Sequence, residues 1–90
     1  DVETGFYIRF SALDQPGVLS NVTKIMGDAG ISIEAIIQRE QPAGESYVNV
    51  IILTNVTKEK CLDEAVERIE LLETVRGQVN FIRVEYLDQH

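Results

Sequence analysis

The sequence has no tryptophan, one cysteine and one histidine among 90 residues. Cys61 has no second cysteine for an internal disulfide, and its place in a helical pattern indicates a small apolar side chain rather than a nucleophile. His90 is the last residue. No Cys-x-x-Cys pair and no serine, histidine and acid combination occurs, so we expect neither a metal site nor a catalytic residue.

Basic residues are also scarce. Eight Lys and Arg against fifteen Asp and Glu give a formal net charge of -7, which repels a phosphate backbone and argues against a nucleic-acid partner. No apolar run approaches the ~20 residues that cross a bilayer, and no signal-peptide pattern opens the chain, so we expect no membrane association. With the single cysteine, these absences favour a cytoplasmic location.

Apolar periodicity predicts six elements in one domain of 90 residues. Four segments have the composition and alternation of strands: 6–12, 31–37, 47–53 and 79–87. Two helical patterns lie between them, from Val18 to Ala29 and from Thr57 to Leu72. The order strand, helix, strand, strand, helix, strand predicts a ferredoxin-like βαββαβ fold of the α+β class. In this fold two helices cover one face of a four-stranded antiparallel sheet.

The patterns also predict which way the side chains point. The residues expected to face the core are Phe6, Ile8, Phe10 and Ala12 in the first strand and Ile82, Val84 and Tyr86 in the last. The residues expected on the uncovered sheet face are Tyr7, Arg9, Ile51 and Leu53. The third strand is apolar on both faces and should be central. An apolar uncovered face and a small core both favour a homo-oligomer.

Turn and cap residues complete the local predictions. Gly30 should end the first helix in a left-handed conformation, Thr57 should cap the second helix, and Gly77 should close the turn before the last strand. Residues 41–45 should form a hairpin loop. The acidic face of the second helix is interpreted as solvated, with Glu64 and Arg68 spaced for an ion pair.

The candidate binding site is Asp14-Gln15-Pro16-Gly17-Val18-Leu19, where the first strand gives way to the first helix. Unpaired N–H groups and the helix dipole attract a carboxylate or phosphate there. Gly17 has no side chain to keep a ligand from those amides, and Pro16 suits a first helical turn. Asp14 is then an N-cap or a ligand contact. A well-capped turn without a ligand explains the segment as well.

This segment, together with Gly30-Ile31-Ser32-Ile33-Glu34 at the opening of the second strand, resembles the ACT domain, the small amino-acid-sensing module of metabolic enzymes. The resemblance covers nearly the whole chain. More narrowly, three stretches are similar to the C-terminal ACT domain of bacterial homoserine dehydrogenase: residues 6–10, 30–38 and 50–54.

The resemblance implies a regulatory domain at the C-terminal end of a longer NAD(P)-dependent dehydrogenase, with the cofactor and the chemistry upstream of Asp1 and threonine as the feedback ligand. It also implies that two domains pair side by side and hold the amino acid between them. On this chain the site residues are Asp14, Gln15, Pro16, Gly17, Val18 and Leu19 of one domain and Ile31, Ser32 and Ile33 of the other.

Ser32 departs from the pattern, since several relatives carry asparagine there. A serine hydroxyl reaches less far than an amide, so the identity or affinity of the ligand can differ. Two alternatives stay open at this point: a structural dimerisation module that binds no ligand, and a regulator of another amino-acid enzyme.

Overall fold

The structure, a computed structural model, describes residues 3–39 and 43–84. They form seven elements in the order β1 (Glu3–Leu13), α1 (Val18–Asp28), β2 (Ile33–Arg39), β3 (Tyr47–Thr54), β4 (Thr57–Lys58), α2 (Glu59–Glu70) and β5 (Val75–Val84). This confirms the predicted ferredoxin-like α+β fold. The hairpin residues Gln41 and Pro42, and Tyr86, Leu87 and His90 at the end of the chain, lie outside the described residues.

The sheet is antiparallel and its middle strands are β1 and β3. β1 pairs with β3 on one side and with β5 on the other, while β2 pairs with the remaining side of β3. The predicted central position of the third strand is therefore confirmed. The sheet has five strands and not four, because β4 continues the pairing with β1 at Glu3 and Thr4. A strand of two residues is too short to leave an alternating pattern in the sequence.

One apolar core lies between the sheet and the two helices. The predicted inward residues of β1 are all buried: Phe6, Ile8, Phe10 and Ala12. They pack with Val18, Val22 and Met26 of α1 and with Leu62, Ala65, Val66 and Ile69 of α2. Both helices therefore cover the same sheet face, as predicted. Cys61 is half-buried against this core.

Neither helix of the described chain is long and apolar enough to cross a membrane.

The end of α1 has the predicted glycine cap. Gly30 has a φ of 81°, and its N–H donates to the carbonyl of Gly27 at 2.9 Å. The N–H of Ile31 donates to the carbonyl of Met26, also at 2.9 Å. These two bonds form a Schellman motif, which turns the chain sharply from α1 towards β2. The predicted strand start at Ile31 is two residues early, since β2 begins at Ile33.

The start and the outer face of α2 differ from the predictions. Thr57 is not the N-cap, because it is paired with Thr4 in the sheet and is 8% exposed; Lys58 is the N-cap and makes no side-chain capping bond. The expected ion pair between Glu64 and Arg68 is present at 3.4 Å. Glu59 and Glu70 are not merely solvated: Glu59 pairs with Arg83, and Glu70 accepts a backbone hydrogen bond from Val79.

The predicted orientation of the last strand is wrong at Ile82 and Val84, which are opposite Tyr7 and Gly5 on the uncovered face. β5 begins at Val75, and Gly77 lies inside it with a φ of 74° instead of closing a preceding turn. The register with β1 shifts around Gly77, since Arg9 is opposite Asn80 whereas Ser11 is opposite Arg76. Val75 before this bulge and Val79 and Phe81 beyond it all face the core, and Ile82 is 63% exposed on the other face.

Candidate functional site

The segment after β1 makes a tight turn before α1 begins. The N–H of Val18 donates to the carbonyl of Gln15 at 3.3 Å, which places Pro16 and Gly17 in the middle of the turn. Gly17 has φ 88° and ψ -16°. A proline followed by a glycine with these angles is the signature of a type II turn. Pro16 therefore precedes the helix instead of occupying its first turn, and Gly17 is the N-cap.

The backbone amides at the start of α1 follow directly on this turn. The first helical bond runs from the N–H of Asn21 to the carbonyl of Gly17 at 3.0 Å. Within the described chain the N–H groups of Leu19 and Ser20 have no acceptor, and no side chain caps the helix. The interpretation of Asp14 as the N-cap is therefore wrong. Two free N–H groups at the positive end of a helix dipole suit a carboxylate.

Asp14 is held by its backbone and not by its side chain. Its N–H donates to the carbonyl of Ser46 at 2.9 Å, which fixes the residue beside the hairpin loop. The carboxylate is exposed and makes no hydrogen bond or ion pair with other described residues. It is thus available to accept from an ammonium or hydroxyl group.

A surface depression of about 410 Å³ joins these groups. Its lining comprises Asp14, Gln15, Pro16, Gly17, Leu19, Ser20 and Gln38. Free amides lie near an exposed carboxylate and an amide side chain. This combination can bind the carboxylate and the ammonium of one small zwitterion.

Most of the first predicted group lies in the depression, but Val18 does not. Its side chain is 4% exposed and belongs to the core. Gln38 lines the depression and was not predicted as a site residue. It lies in β2, so only the pairing of strands brings it near the turn. The resembling stretch ends at Gln38, yet nothing in the local pattern marks it as a ligand contact.

The second predicted group does not join the first within one copy. Ile31 is 4% exposed in the core, Ile33 packs against the core, and Ser32 is exposed while its carbonyl accepts from the N–H of Asn55 at 2.9 Å. β1 and β2 run parallel, because both are antiparallel to β3. The turn after β1 is therefore at the Gln38 end of β2, and Ser32 is six residues away, about 20 Å along a strand.

The described residues contain no group of three His, Cys, Asp or Glu side chains that could hold a metal ion. The glycines with positive φ, at positions 17, 30, 44 and 77, lie in four separate places. These four glycines therefore do not form one glycine-rich phosphate loop.

The fold is that of a small α+β domain with a depression at the start of its first helix. The sequence model of the ACT domain matches residues 6–73. The chain belongs to the ACT domain family.

Several proteins that are similar to this chain in sequence are homoserine dehydrogenases. The chain is 45% identical over 89 residues to homoserine dehydrogenase from Methylobacillus glycogenes; the match covers 99% of this chain and 22% of that protein. The crystal structure of a homoserine dehydrogenase from Thiobacillus denitrificans is similar with a TM-score of 0.83 and 43% identity, over 93% of this chain and 18% of the other. The chain is thus an ACT domain related to those of homoserine dehydrogenases, which are oxidoreductases.

The fold itself also occurs far from this enzyme. The ACT domain of a GTP pyrophosphokinase from Chlorobium tepidum has a TM-score of 0.69 at 15% identity, over 90% of this chain and 100% of the other. Such a distant likeness supports the fold alone.

Proposed function

We propose that this chain is the feedback-sensing domain of a homoserine dehydrogenase and that threonine is its ligand. The observation that carries the proposal is the depression at the start of α1. The N–H groups of Leu19 and Ser20 receive the carboxylate of the amino acid, and Asp14 receives its ammonium or hydroxyl group. Gln38, whose amide both donates and accepts, contacts the remaining polar group.

A second copy of the chain completes the site. The outer edge of β2 has no strand partner in the described chain, and Ile36 and Ile37 on it are 37% and 46% exposed. An uncovered edge strand with apolar residues is a template for pairing. Antiparallel pairing of two β2 strands about a twofold axis near Ile36 brings Ser32 of one copy to the Gln38 end of the other.

This arrangement accounts for the separation of the two predicted groups in a single chain. Ser32 and Ile33 of the second copy then face the turn that follows β1, as the family resemblance implies. Ile31 contributes through its backbone, because its side chain is in the core. Binding at a shared site couples the ligand to the pairing of the domains, and such coupling can be passed on as feedback.

The rest of the enzyme supplies the chemistry. The chain spans about a fifth of the length of the homoserine dehydrogenases that it matches, 22% in the Methylobacillus protein. In our proposal the NAD(P) site and the hydride transfer belong to the remaining part of the polypeptide. The ACT domain would act on them from outside the active site, in the cytoplasm, where amino-acid biosynthesis takes place.

A thermal-shift screen of free amino acids tests the ligand. A ligand that binds only the folded protein raises its stability by roughly 2.7 kcal/mol at a hundredfold excess over Kd. For a domain of this size the Tm rises on the order of 10 °C. We expect threonine to give the largest rise. A larger rise with another amino acid would point to a regulator of a different enzyme, and flat responses throughout would favour a structural dimerisation module.

Asp14→Ala separates binding from capping. Because the Asp14 side chain caps nothing, the variant should keep the ligand-free Tm and lose most of the shift that threonine produces. Asp63→Ala, an equal loss of charge on the exposed face of α2, is the matched control and should respond to threonine like the original chain. If Asp14→Ala instead costs about 1 kcal/mol without ligand and leaves the ligand shift intact, the segment is only a capped turn.

A further inference from the structure

The sheet face that the helices leave uncovered, termed the open face, has an apolar end. The strand register aligns Ile82, Tyr7, Leu53 and Ala35 in one row across four strands, and the next row adds Ile51 and Ile37. Tyr7, Arg9, Ile51 and Leu53 were the residues predicted for this face. Ile82 and Ile37 are 63% and 46% exposed at its two edges. The row is about 14 Å wide at the usual spacing between strands.

The other end of the open face is positively charged. Arg9 lies in the second row, and the third row carries Arg76 and Arg39. Neither of these two rows contains Asp or Glu, and none of the three arginines has a carboxylate within 4.0 Å in the described chain. Arg9, Arg39 and Arg76 thus give these two rows a formal charge of +3, in a chain whose net charge is -7.

Five acidic residues lie together on the opposite side of the molecule. The outward positions of α2 carry Glu59, Asp63, Glu64, Glu67 and Glu70. The domain is therefore electrically asymmetric, with an acidic helical layer and a basic sheet face. Such an asymmetry orients a partner of complementary charge before contact is made.

A shallow recess lies where the apolar and charged parts meet. It has a volume of about 340 Å³ and is bordered by Tyr7, Arg9, Asn80, Phe81 and Ile82. An apolar side chain inserted here would be surrounded by Tyr7 and Ile82, and a carboxylate next to it would reach Arg9. Apolar anchors in recesses, with charged neighbours, are the usual centres of protein interfaces.

We propose that the open face binds an acidic amphipathic helix of a partner protein. The apolar ridge of this helix lies along the row from Ile82 to Ala35, and its glutamates or aspartates pair with Arg9, Arg39 and Arg76. Charge complementarity identifies the partner as acidic. Its helical form follows from dimensions: at a rise of 1.5 Å per residue, about nine residues of an α-helix span the length of the row, and the second face of a sheet is commonly covered by helices.

Two other occupants fit the face less well. A second copy placed face to face would bring the same arginines together, and like charges oppose each other. A nucleic acid would meet Arg9 and Arg39 but would be repelled by the acidic remainder of the chain. This proposal does not depend on the amino-acid ligand, which binds at the start of α1.

A synthetic peptide of roughly 20 residues, long enough to form a helix, tests the proposal. It carries leucines at i, i+3, i+4 and i+7 and glutamates beside them. We expect it to shift the amide NMR signals of Tyr7, Arg9 and Ile82 in the 90-residue chain and to bind more weakly as salt is raised. A peptide with lysine in place of each glutamate should not bind.

Two charge-reversal variants of the protein, one on the open face and one on α2, form a matched pair. Arg9→Glu should weaken binding of the glutamate peptide by about tenfold or more, and Arg9→Gln by a smaller factor. Arg68→Glu makes the same charge change on exposed α2 and should leave binding unchanged. Absence of binding, equal binding of the lysine peptide, signal shifts confined to the helical side, or tighter binding of an oligonucleotide through Arg9 would each overturn the proposal.

Discussion

The Glu70 carboxylate accepts a 2.8 Å hydrogen bond from the backbone N–H of Val79. The bond joins the last turn of α2 to β5 immediately after the bulge at Gly77. Val79 is 6% exposed, so its N–H has little access to water. An acidic residue on an otherwise solvated helix face thus completes the hydrogen bonding of the sheet.

Glu70→Ala should therefore destabilise the domain. A charged acceptor removed from a partly buried N–H costs about 1–3 kcal/mol, and each kcal/mol lowers the Tm of such a domain by roughly 4–8 °C. Glu67→Ala removes the same charge from an exposed position of α2 and should change the Tm little. Equal melting of the two variants would show that the Val79 bond contributes nothing measurable.

Substituting alanine for each of two glycines should change the stability of the domain in opposite directions. Gly17 has a φ of 88°, whereas Gly27 lies inside α1, and an added Cβ meets nothing within 4 Å at either position. Backbone conformation alone therefore decides the result. Gly17→Ala should cost about 1–2 kcal/mol, and Gly27→Ala should gain roughly 0.5–1 kcal/mol. Chemical unfolding of both variants measures the difference, and a stabilising Gly17→Ala would contradict the type II turn.

Alanine substitutions at two adjacent residues of β5 should differ clearly in how much stability they cost. Phe81 packs edge-on against Phe6, with ring centroids 6.0 Å apart, while Ile82 is 63% exposed. We expect Phe81→Ala to cost about 2 kcal/mol or more and Ile82→Ala to cost less than about 0.5 kcal/mol. A larger loss of stability at Ile82 than at Phe81 would mean that Ile82, and not Phe81, faces the core.

The proposed pairing of two β2 strands can be tested at Ile36. Ile36→Lys places a charge on the exposed edge, a device that blocks strand pairing. Sedimentation should show the original chain at about twice its monomer mass, and Ile36→Lys at 10.1 kDa. Val56→Lys alters another exposed apolar residue, 55% exposed and outside β2, and should remain dimeric. A monomeric original chain would remove the shared site from the proposed function.

The sequence predicted an element best where burial of a single face explains the whole pattern of its apolar side chains. β1 alternates because only one of its faces lies under the helices, and α1 has a single apolar stripe. In β5 both faces carry apolar residues, with Val79 and Phe81 on one and Ile82 on the other. Val75, before the bulge, faces the core like Val79 and Phe81 beyond it, so which set is inside depends on the pairing with β1. That pairing is a long-range property that no local pattern contains.

The candidate site also has a part that the local sequence could predict and a part that it could not. The turn from Asp14 to Leu19 is local, so its position at a helix start could be predicted from Pro16 and Gly17. Its details could not, because a type II turn and a helical first turn place the same two residues differently. Gln38 comes from another strand, and its part in the depression appeared only with the sheet order.

The pairing of β1 with β5 has a consequence for the order of folding. Thr4 donates a hydrogen bond to the carbonyl of Val84, 80 residues further along the chain. β1, in the middle of the sheet, therefore has both of its edges fully paired only when the last described residues of β5 are in place. Contacts so distant in sequence slow folding, because a long loop must close before they form. In a growing polypeptide the pairing of β1 with β5 therefore cannot be complete before residue 84 has been synthesised.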